Sequence, residues 1–212
     1  MKEGVYSEIE TERFLKKYLP VTKQKLVKTL KEAEFAARQI KFPLVLKIIS
    51  KDALHKSDIK GVRLVKNKLD FEQEYKSLIK IVKNKKLRFE GILVQEYVKG
   101  EYVIIGLKKD LTFGHVIAFG TGGIYTELIK DVSFRVCPIT YKDAQEMIDE
   151  LQMRQLLYGF RGSKKVNIPF LKDIMVAVSK IPLRHPEISE MDINPFVIND
   201  KGGCIVDAMM KV

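Results

Sequence analysis

Four stretches of this sequence carry side chains suited to handling a phosphate. Lys47 sits alone inside the apolar run PLVLKII, residues 43–49. A lysine in a buried strand costs free energy unless its stem snorkels to water or its ammonium meets an anion. It reads either as an edge-strand lysine or as a phosphate ligand. A few residues on, KDALHKSD forms a polar loop around His55, one of three histidines in the chain. Imidazole is partly neutral at pH 7, so a ring nitrogen can attack a phosphoryl group while Asp52 or Asp58 orients the other nitrogen. An inert loop histidine is the plainer alternative.

The third stretch, FGTGGIYTELIKDVSFRV, follows a predicted strand at 115–119 and places Gly120, Gly122 and Gly123 within four positions. Glycines there let backbone N–H groups approach an anion with no Cβ in the way. The spacing matches neither GxxxxGKS/T nor GxGxxG, so it supports neither a P-loop nor a dinucleotide fingerprint; a tight turn with a solvated loop also accounts for it. The fourth is the C-terminal hairpin. Asp192 and Asn194 stand two apart on a predicted strand and so share a face. With the turn centred between Asp200 and Lys201, Asn194 comes directly opposite Asp207, Cβ atoms roughly 5 Å apart. A carboxylate and an amide oxygen at that spacing suit Mg2+, which takes few protein ligands and completes its shell with phosphate oxygens and water. A hydrogen-bonded polar pair under the hairpin is the alternative. Glu96 closes an otherwise apolar strand where two lobes would join; it reads as an exposed edge acid or as part of a strand whose backbone meets an adenine edge. His115 and His185 have no partner pattern and read as structural.

The elements that must hold these residues follow from periodicity and punctuation. Helical spacing of apolar residues predicts a helix over 7–19 with Ser7 able to cap and Pro20 ending it, another over 31–40 capped by Thr29, one over 70–83 capped by Asp70, one over 141–151 capped by Thr140, and one over 168–180. Strands are predicted at 24–27, 43–49, 62–65, 92–98, 102–107 and 115–119, with a terminal hairpin of 191–198 and 203–209 around Asn199-Asp200-Lys201-Gly202. Strands and helices alternate with antiparallel connections implied, which predicts an α+β protein of two lobes split near residues 96–100.

Composition narrows the class. The 212 residues are 46% hydrophobic, enough for a proper core. No apolar run approaches the roughly 20 residues of a membrane span, and the charged start MKEGVYSEIETERF has no signal-peptide core. Cys137 and Cys204 lack metal-ligand spacing, so a reduced cytoplasmic protein is expected, with no membrane partner. The net charge of +11 is spread as pairs and triples mixed with acids, without a basic stripe interleaved with exposed aromatics, so no nucleic-acid partner is expected. Such a field still attracts nucleotides or CoA. Abundant lysine, no tryptophan and few cysteines also resemble the habits of heat-adapted proteins.

Five motifs in one order, FPLVLKIIS, ALHKSDIKGVRL, FGTGGIYTELIKDVSFRVCPIT, YGFRGSKKV and EMDINPFVI…CIVDA, resemble the ATP-grasp family, in particular the beta subunits of ADP-forming acyl-CoA (acetyl-CoA) synthetases. The resemblance covers about 7–212. It implies an α+β ATP-grasp domain of two α/β lobes with the nucleotide held between their sheets, a lid-like part at about 21–96 and a larger part at about 97–212 joined by the helix 7–19. It implies an ADP-forming acid–CoA ligase, acyl-CoA + ADP + phosphate ⇌ acid + CoA + ATP, run through a phosphohistidine relay. His55 matches the carrier histidine, Lys47 the strand lysine on the nucleotide phosphates, and Asn194 with Asp207 the Mg2+ residues. Gln95, Glu96, Tyr97 and Val98 fall on the hinge strand at the adenine pocket, Gly120, Gly122 and Gly123 on the phosphate loop, and Arg63 within reach of nucleotide phosphates. ATP or ADP is then a substrate, and a CoA-binding alpha subunit a required partner in a complex of two alpha and two beta chains. The sequence departs from the family at Lys60-Gly61, where two glycines are usual, and in VKGEYVIIG, one residue short after the hinge strand, which leaves Glu101 and Tyr102 both open for the family's glutamate position. Other readings are an ATP-grasp ligase working through an acyl phosphate without phosphohistidine, and a non-catalytic nucleotide-binding regulatory subunit.

Overall fold

A computed structural model describes residues 3–50, 52, 59–122 and 131–212. The chain divides into two compact units, Thr22–Val98 and Met1–Val21 with Lys99–Val212. Among the described residues no helix is long and apolar enough to cross a membrane.

The unit Thr22–Val98 is an antiparallel sheet of four strands with two helices on one face. The strands are β2 (Gln24–Val27), β3 (Leu44–Ser50), β4 (Val62–Val65) and β5 (Phe89–Glu96), in the order β2-β5-β3-β4. Helix α2 (Leu30–Ile40) begins at Thr29, whose hydroxyl accepts from Glu32 N while Glu32 reaches back to Thr29 N, a capping box. Helix α3 (Lys68–Asn84) begins two residues before the predicted start. Its cap is Asn67, whose side chain accepts from Leu69 N and Asp70 N; Asp70, expected to cap, lies in the first turn, where its charge suits the helix dipole. Leu44, Leu46 and Ile48 of β3 and Ile92 and Val94 of β5 meet Ala33, Ala36, Phe71, Tyr75 and Leu78 of the helices in one buried cluster. Alternation then sends Val45, Lys47 and Ile49 to the other face.

The larger unit holds a seven-stranded sheet. Its strands are β1 (Val5–Tyr6), β6 (Glu101–Asp110), β7 (Gly114–Thr121), β8 (Val132–Val136), β9 (Glu190–Ile198), β10 (Gly203–Ile205) and β11 (Ala208–Lys211). The path runs β1-β11-β9-β6-β7-β8, with β10 also on β9. Helices α1 (Glu8–Leu15), α4 (Tyr141–Glu150), the single turn α5 (Gln155–Tyr158) and α6 (Ile168–Arg184) supply the second layer. Leu15, Met147, Leu171, Met175 and Val178 from the helices pack with Val103, Ile105, Leu107, Ile117, Phe119, Met191 and Ile193 from the strands. Ser7 and Thr140 cap α1 and α4, as predicted, and the structure shows a capping box at each. Helix α1 is shorter than predicted, because after Leu15 the backbone tightens, Tyr18 N bonding to Leu15 O. Helix α6 is longer and carries Pro182 inside it, since Val178, Ile181 and Pro182 are all buried and packing outweighs the missing N–H.

Asp131, buried beside the start of β8, joins the sheet to the turn after α4: its two carboxylate oxygens accept from Gln152 N (2.8 Å) and Met153 N (2.9 Å). Backbone bonds to a buried carboxylate are each worth more than neutral ones. Asp131→Ala is expected to lose about 2–3 kcal/mol of stability, a fall in Tm of roughly 5–10 °C in thermal unfolding; a Tm within about 1 °C of the parent contradicts the anchoring role.

Candidate functional site

The C-terminal hairpin is built on one register. Gly203 pairs with Ile198, Cys204 with Val197 and Ile205 with Phe196, and after a two-residue gap Ala208 pairs with Ile193 and Met209 with Asp192. The gap keeps the count, so Asn194 stands opposite Asp207, as predicted, with Asn194 N donating to Asp207 O at 3.0 Å and Val206 N to Pro195 O at 3.1 Å. The predicted single strand at 203–209 is therefore two, β10 and β11. Both strands of the hairpin break alternation at this step: Asn194-Pro195 separates the core residues Ile193 and Phe196, and Val206-Asp207 separates Ile205 and Ala208. Two residues between inward-facing neighbours leave room for a polar bulge on the far side of the sheet.

The electrostatics there are those of a site short of positive charge. Asp192 shares a hydrogen bond with the Asn194 side chain, and its carboxyl is pushed up from the ordinary range by burial first, then by the charges of Asp207 and Glu190. Across β6, Asp192 faces Gly106 and Glu190 faces Lys108. Among the described residues no three His, Cys, Asp or Glu side chains gather into a metal-binding cluster. The available set is hard oxygen in small number, Asn194 and Asp207 with Asp192 beside them, and that fits Mg2+ better than zinc or calcium.

On the smaller unit, Lys47 is 4% exposed and paired between Leu93 and Val62 on the face away from α2 and α3. Gln95, fully buried, lies on the same face through its pairing with Val45, and its amide donates to Thr22 Oγ1 (2.7 Å) and Gln24 Oε1 (2.8 Å). Glu96 accepts from Lys23 N at 2.7 Å while its own N–H donates to Lys23 O, and Tyr97 N donates to Pro43 O; Val98 follows, half-buried. Arg63 is placed elsewhere. It pairs with Leu46, whose side chain faces the helices, so Arg63 lies on the face opposite Lys47, where its Nε meets Glu74 at 3.1 Å and its terminal nitrogen donates to Lys60 O and Val62 O.

His55 and Gly123 lie outside the described residues, as does Asp58. Asp52, one of two acids considered as an orienter for His55, is taken by Arg88, which donates from its backbone N–H, Nε and a terminal nitrogen at 2.6–2.7 Å. That pairing holds the Asp52 carboxyl below its usual range. Gly120 and Gly122 have packing reasons to be glycine: a Cβ on Gly120 would sit 2.7 Å from Asp131 O, and one on Gly122 would sit 2.8 Å from the Tyr102 carbonyl carbon. The Gly122 N–H is committed to Tyr102 O at 2.7 Å. Burial pushes the Cys137 thiol up to about 12, which keeps it protonated at neutral pH. Sequence reasoning noticed Asp192 only as a neighbour of Asn194; the signal that it belongs to the site was its two-residue spacing.

A raised carboxyl has a definite sign in stability. Asp192 binds its proton more tightly folded than unfolded, so its ionisation weakens the fold as pH rises above the ordinary value of 3.8. Without divalent metal, Asp192→Asn is expected to melt higher than the parent at pH 7.5, the gain vanishing below pH 3.8. Thermal melts at both ends of that range check this, and a variant that melts lower at pH 7.5 contradicts it.

The ATP-grasp domain family matches residues 1–212. The beta subunit of acetate–CoA ligase (ADP-forming) I from Pyrococcus furiosus is 39% identical over 208 residues, covering 96% of this chain and 90% of the relative. The acetate–CoA ligase (ADP-forming) I of Archaeoglobus fulgidus is 42% identical over 188 residues, 87% of this chain, and the chain spans 27% of that longer protein. A structure of the dinucleotide-forming acetyl-coenzyme A synthetase 1 of Ca. Korarchaeum cryptofilum, with coenzyme A and Mg-AMPPCP and its phosphohistidine segment pointing towards the nucleotide binding site, superposes with a TM-score of 0.84 at 38% identity, covering 98% of this chain and 92% of that one. The hairpin register, the buried strand lysine and these likenesses lead to one assignment: the chain belongs to the ATP-grasp family, among the beta subunits of ADP-forming acetate–CoA ligases.

Proposed function

We propose that this chain is the nucleotide-binding part of an ADP-forming acyl-CoA synthetase, making ATP from ADP and phosphate at the expense of an acyl-CoA thioester. The observation that carries the reading is the register placing Asn194 opposite Asp207 beside an Asp192 whose ionisation is opposed first by burial and then by neighbouring negative charge. Asn194 and Asp207 would hold Mg2+, which supplies charge neutralisation to nucleotide phosphates. Lys47, a cation on a buried strand face, is assigned to the nucleotide phosphates, where a compact ammonium serves as a point charge. Backbone groups of Gln95, Glu96, Tyr97 and Val98 are assigned to the base. Their side-chain and backbone ties to Thr22, Lys23, Gln24 and Pro43 support a rigid edge that a planar base can meet. The engagement of Arg63 with Glu74 favours a structural role for it, and the packing of Gly120 and Gly122 leaves Gly123 as the glycine assigned to phosphate contact.

His55 is proposed as the phosphoryl carrier. In the productive step the N–P bond of phosphohistidine breaks, an O–P bond forms to the terminal phosphate of ADP, and a proton on the other ring nitrogen lets the ring leave as neutral imidazole. A CoA-binding partner, in a complex of two and two, would load that histidine; the phosphohistidine segment of the Korarchaeum relative supports a relay of this kind. Asp207→Asn tests the carrying observation. The variant is expected to bind ADP at least about tenfold more weakly in the presence of Mg2+, a loss of about 1.4 kcal/mol or more, and to lose the response of affinity to added Mg2+. Calorimetric titration with and without the ion measures both, and an unchanged Mg2+ response contradicts the site.

A further inference from the structure

Helices α2 and α3 of the smaller unit leave a groove of about 400 Å3 between them. Its floor comes from Leu30, the first residue of α2, and from Tyr75 and Ile79, one turn apart on α3. All three pack with the core of this unit, Tyr75 buried and Leu30 and Ile79 half-buried at its edge. One wall is a row of exposed lysines, Lys76, Lys80 and Lys83, whose spacing of four and three puts them on one side of α3.

Positive charge gathers here without local compensation. From Tyr75 to Phe89 the sequence holds five lysines, one arginine and no acid. Lys83 suits the negative end of the α3 dipole, but Lys76 and Lys80 precede the last turn. Lys76 pairs with Glu72 at 2.6 Å, while among the described residues no carboxylate pairs with Lys80 or Lys83. Glu32, whose charge reaches Tyr75, is turned to the backbone, accepting from Lys28 N at 2.7 Å and Thr29 N at 3.2 Å. Leu30 brings the positive end of α2 to the same groove. Lysine stems often lie along apolar surface and cover it. Here they leave the floor open, since the groove keeps its volume beside them.

We propose that this groove binds a carboxylate with an apolar body, such as a medium-chain fatty acid or an arylalkanoic acid. The hydrocarbon lies on Leu30, Tyr75 and Ile79, and the carboxylate meets Lys80 and Lys83. Size and chemistry select this class. Small-ligand sites run from about 300 to 1,000 Å3 and are mostly apolar with a few placed polar groups. A floor of three side chains falls far short of the ~800 Å2 per partner that a stable protein interface covers. A bare inorganic anion leaves the floor unused, and an uncharged apolar molecule leaves the lysines unused. Lys47 lies on the opposite face of this sheet, so the groove stands apart from the nucleotide assignment and does not depend on it.

The test titrates octanoate into the full chain, with 1-octanol, inorganic phosphate and an acidic amphipathic peptide as competing probes. Methyl NMR reads the site through Leu30 and Ile79, and ADP affinity with Mg2+ is measured alongside. Octanoate is expected to shift both sets of methyl signals saturably, with each other probe at least about tenfold weaker. Combining Lys80→Ala with Lys83→Ala is expected to weaken octanoate at least about tenfold while Tm and ADP affinity stay at the parent values. Absence of a saturable shift at Leu30 and Ile79 overturns the site, as does octanoate affinity kept in the double variant. So does 1-octanol, phosphate or the peptide binding as tightly as octanoate, which would make the groove an apolar cleft, a general cation patch or a protein interface respectively.

Discussion

The Asn199–Gly202 turn sets the hairpin register on which the charged site depends. Asn199 N bonds to Gly202 O at 2.8 Å, the Asn199 side chain accepts from Lys201 N at 2.9 Å and donates to Lys99 O at 3.0 Å, and Gly202 takes a φ of 153°. Slipping such a pairing by one residue exchanges the two faces of a strand. Here it would turn Asp207 toward the core that holds Ala208 and bring Ala208 outward. Burial of Ile193, Ile205, Ala208 and Met210 therefore fixes the register as firmly as the turn does, and the positions of Asn194 and Asp207 follow from core packing.

Each unit uses the same device separately. Helices cover one face of its sheet, an apolar row of strand residues goes to that face, and the other face has positions that carry polar groups. In the smaller unit this is Leu44, Leu46 and Ile48 against Val45, Lys47 and Ile49. In the larger it is Met191 and Ile193 against Asp192 and Asn194. Placing ionisable groups on strands lets the core hold them rigidly, which suits phosphoryl transfer, where catalysis is mostly positioning and charge. Asp192 shows the energetic side of the arrangement, since its ionisation is opposed by burial and by like charges.

Much of this was legible in the sequence because it depends on local rules. Short runs between turn signals located β2 and β4 to the residue, Ser7, Thr29 and Thr140 announced their helices as caps, and counting back from the turn gave the Asn194–Asp207 pair. What stayed hidden depends on partners distant in sequence. The pairing of Arg63 with Glu74 needs the packing of β4 on α3, and the grip of Arg88 on Asp52 spans 36 residues. Gly120 and Gly122 also have a packing reason to be glycine that the sequence does not show, the backbones of Asp131 and Tyr102 pressed against them. The cap of α3 went to Asn67 over Asp70 because both are good caps and only packing chooses between them. The anchoring role of Asp131 has no local signature, being a buried carboxylate met by two N–H groups of a turn.

The most direct test of the relay is to incubate the chain and its CoA-binding subunit with radiolabelled phosphate and acetyl-CoA, then locate the label by mass spectrometry before and after adding ADP. The account predicts acid-labile, base-stable phosphate on His55 that ADP removes as ATP. An active pair that leaves His55 unlabelled throughout would contradict it.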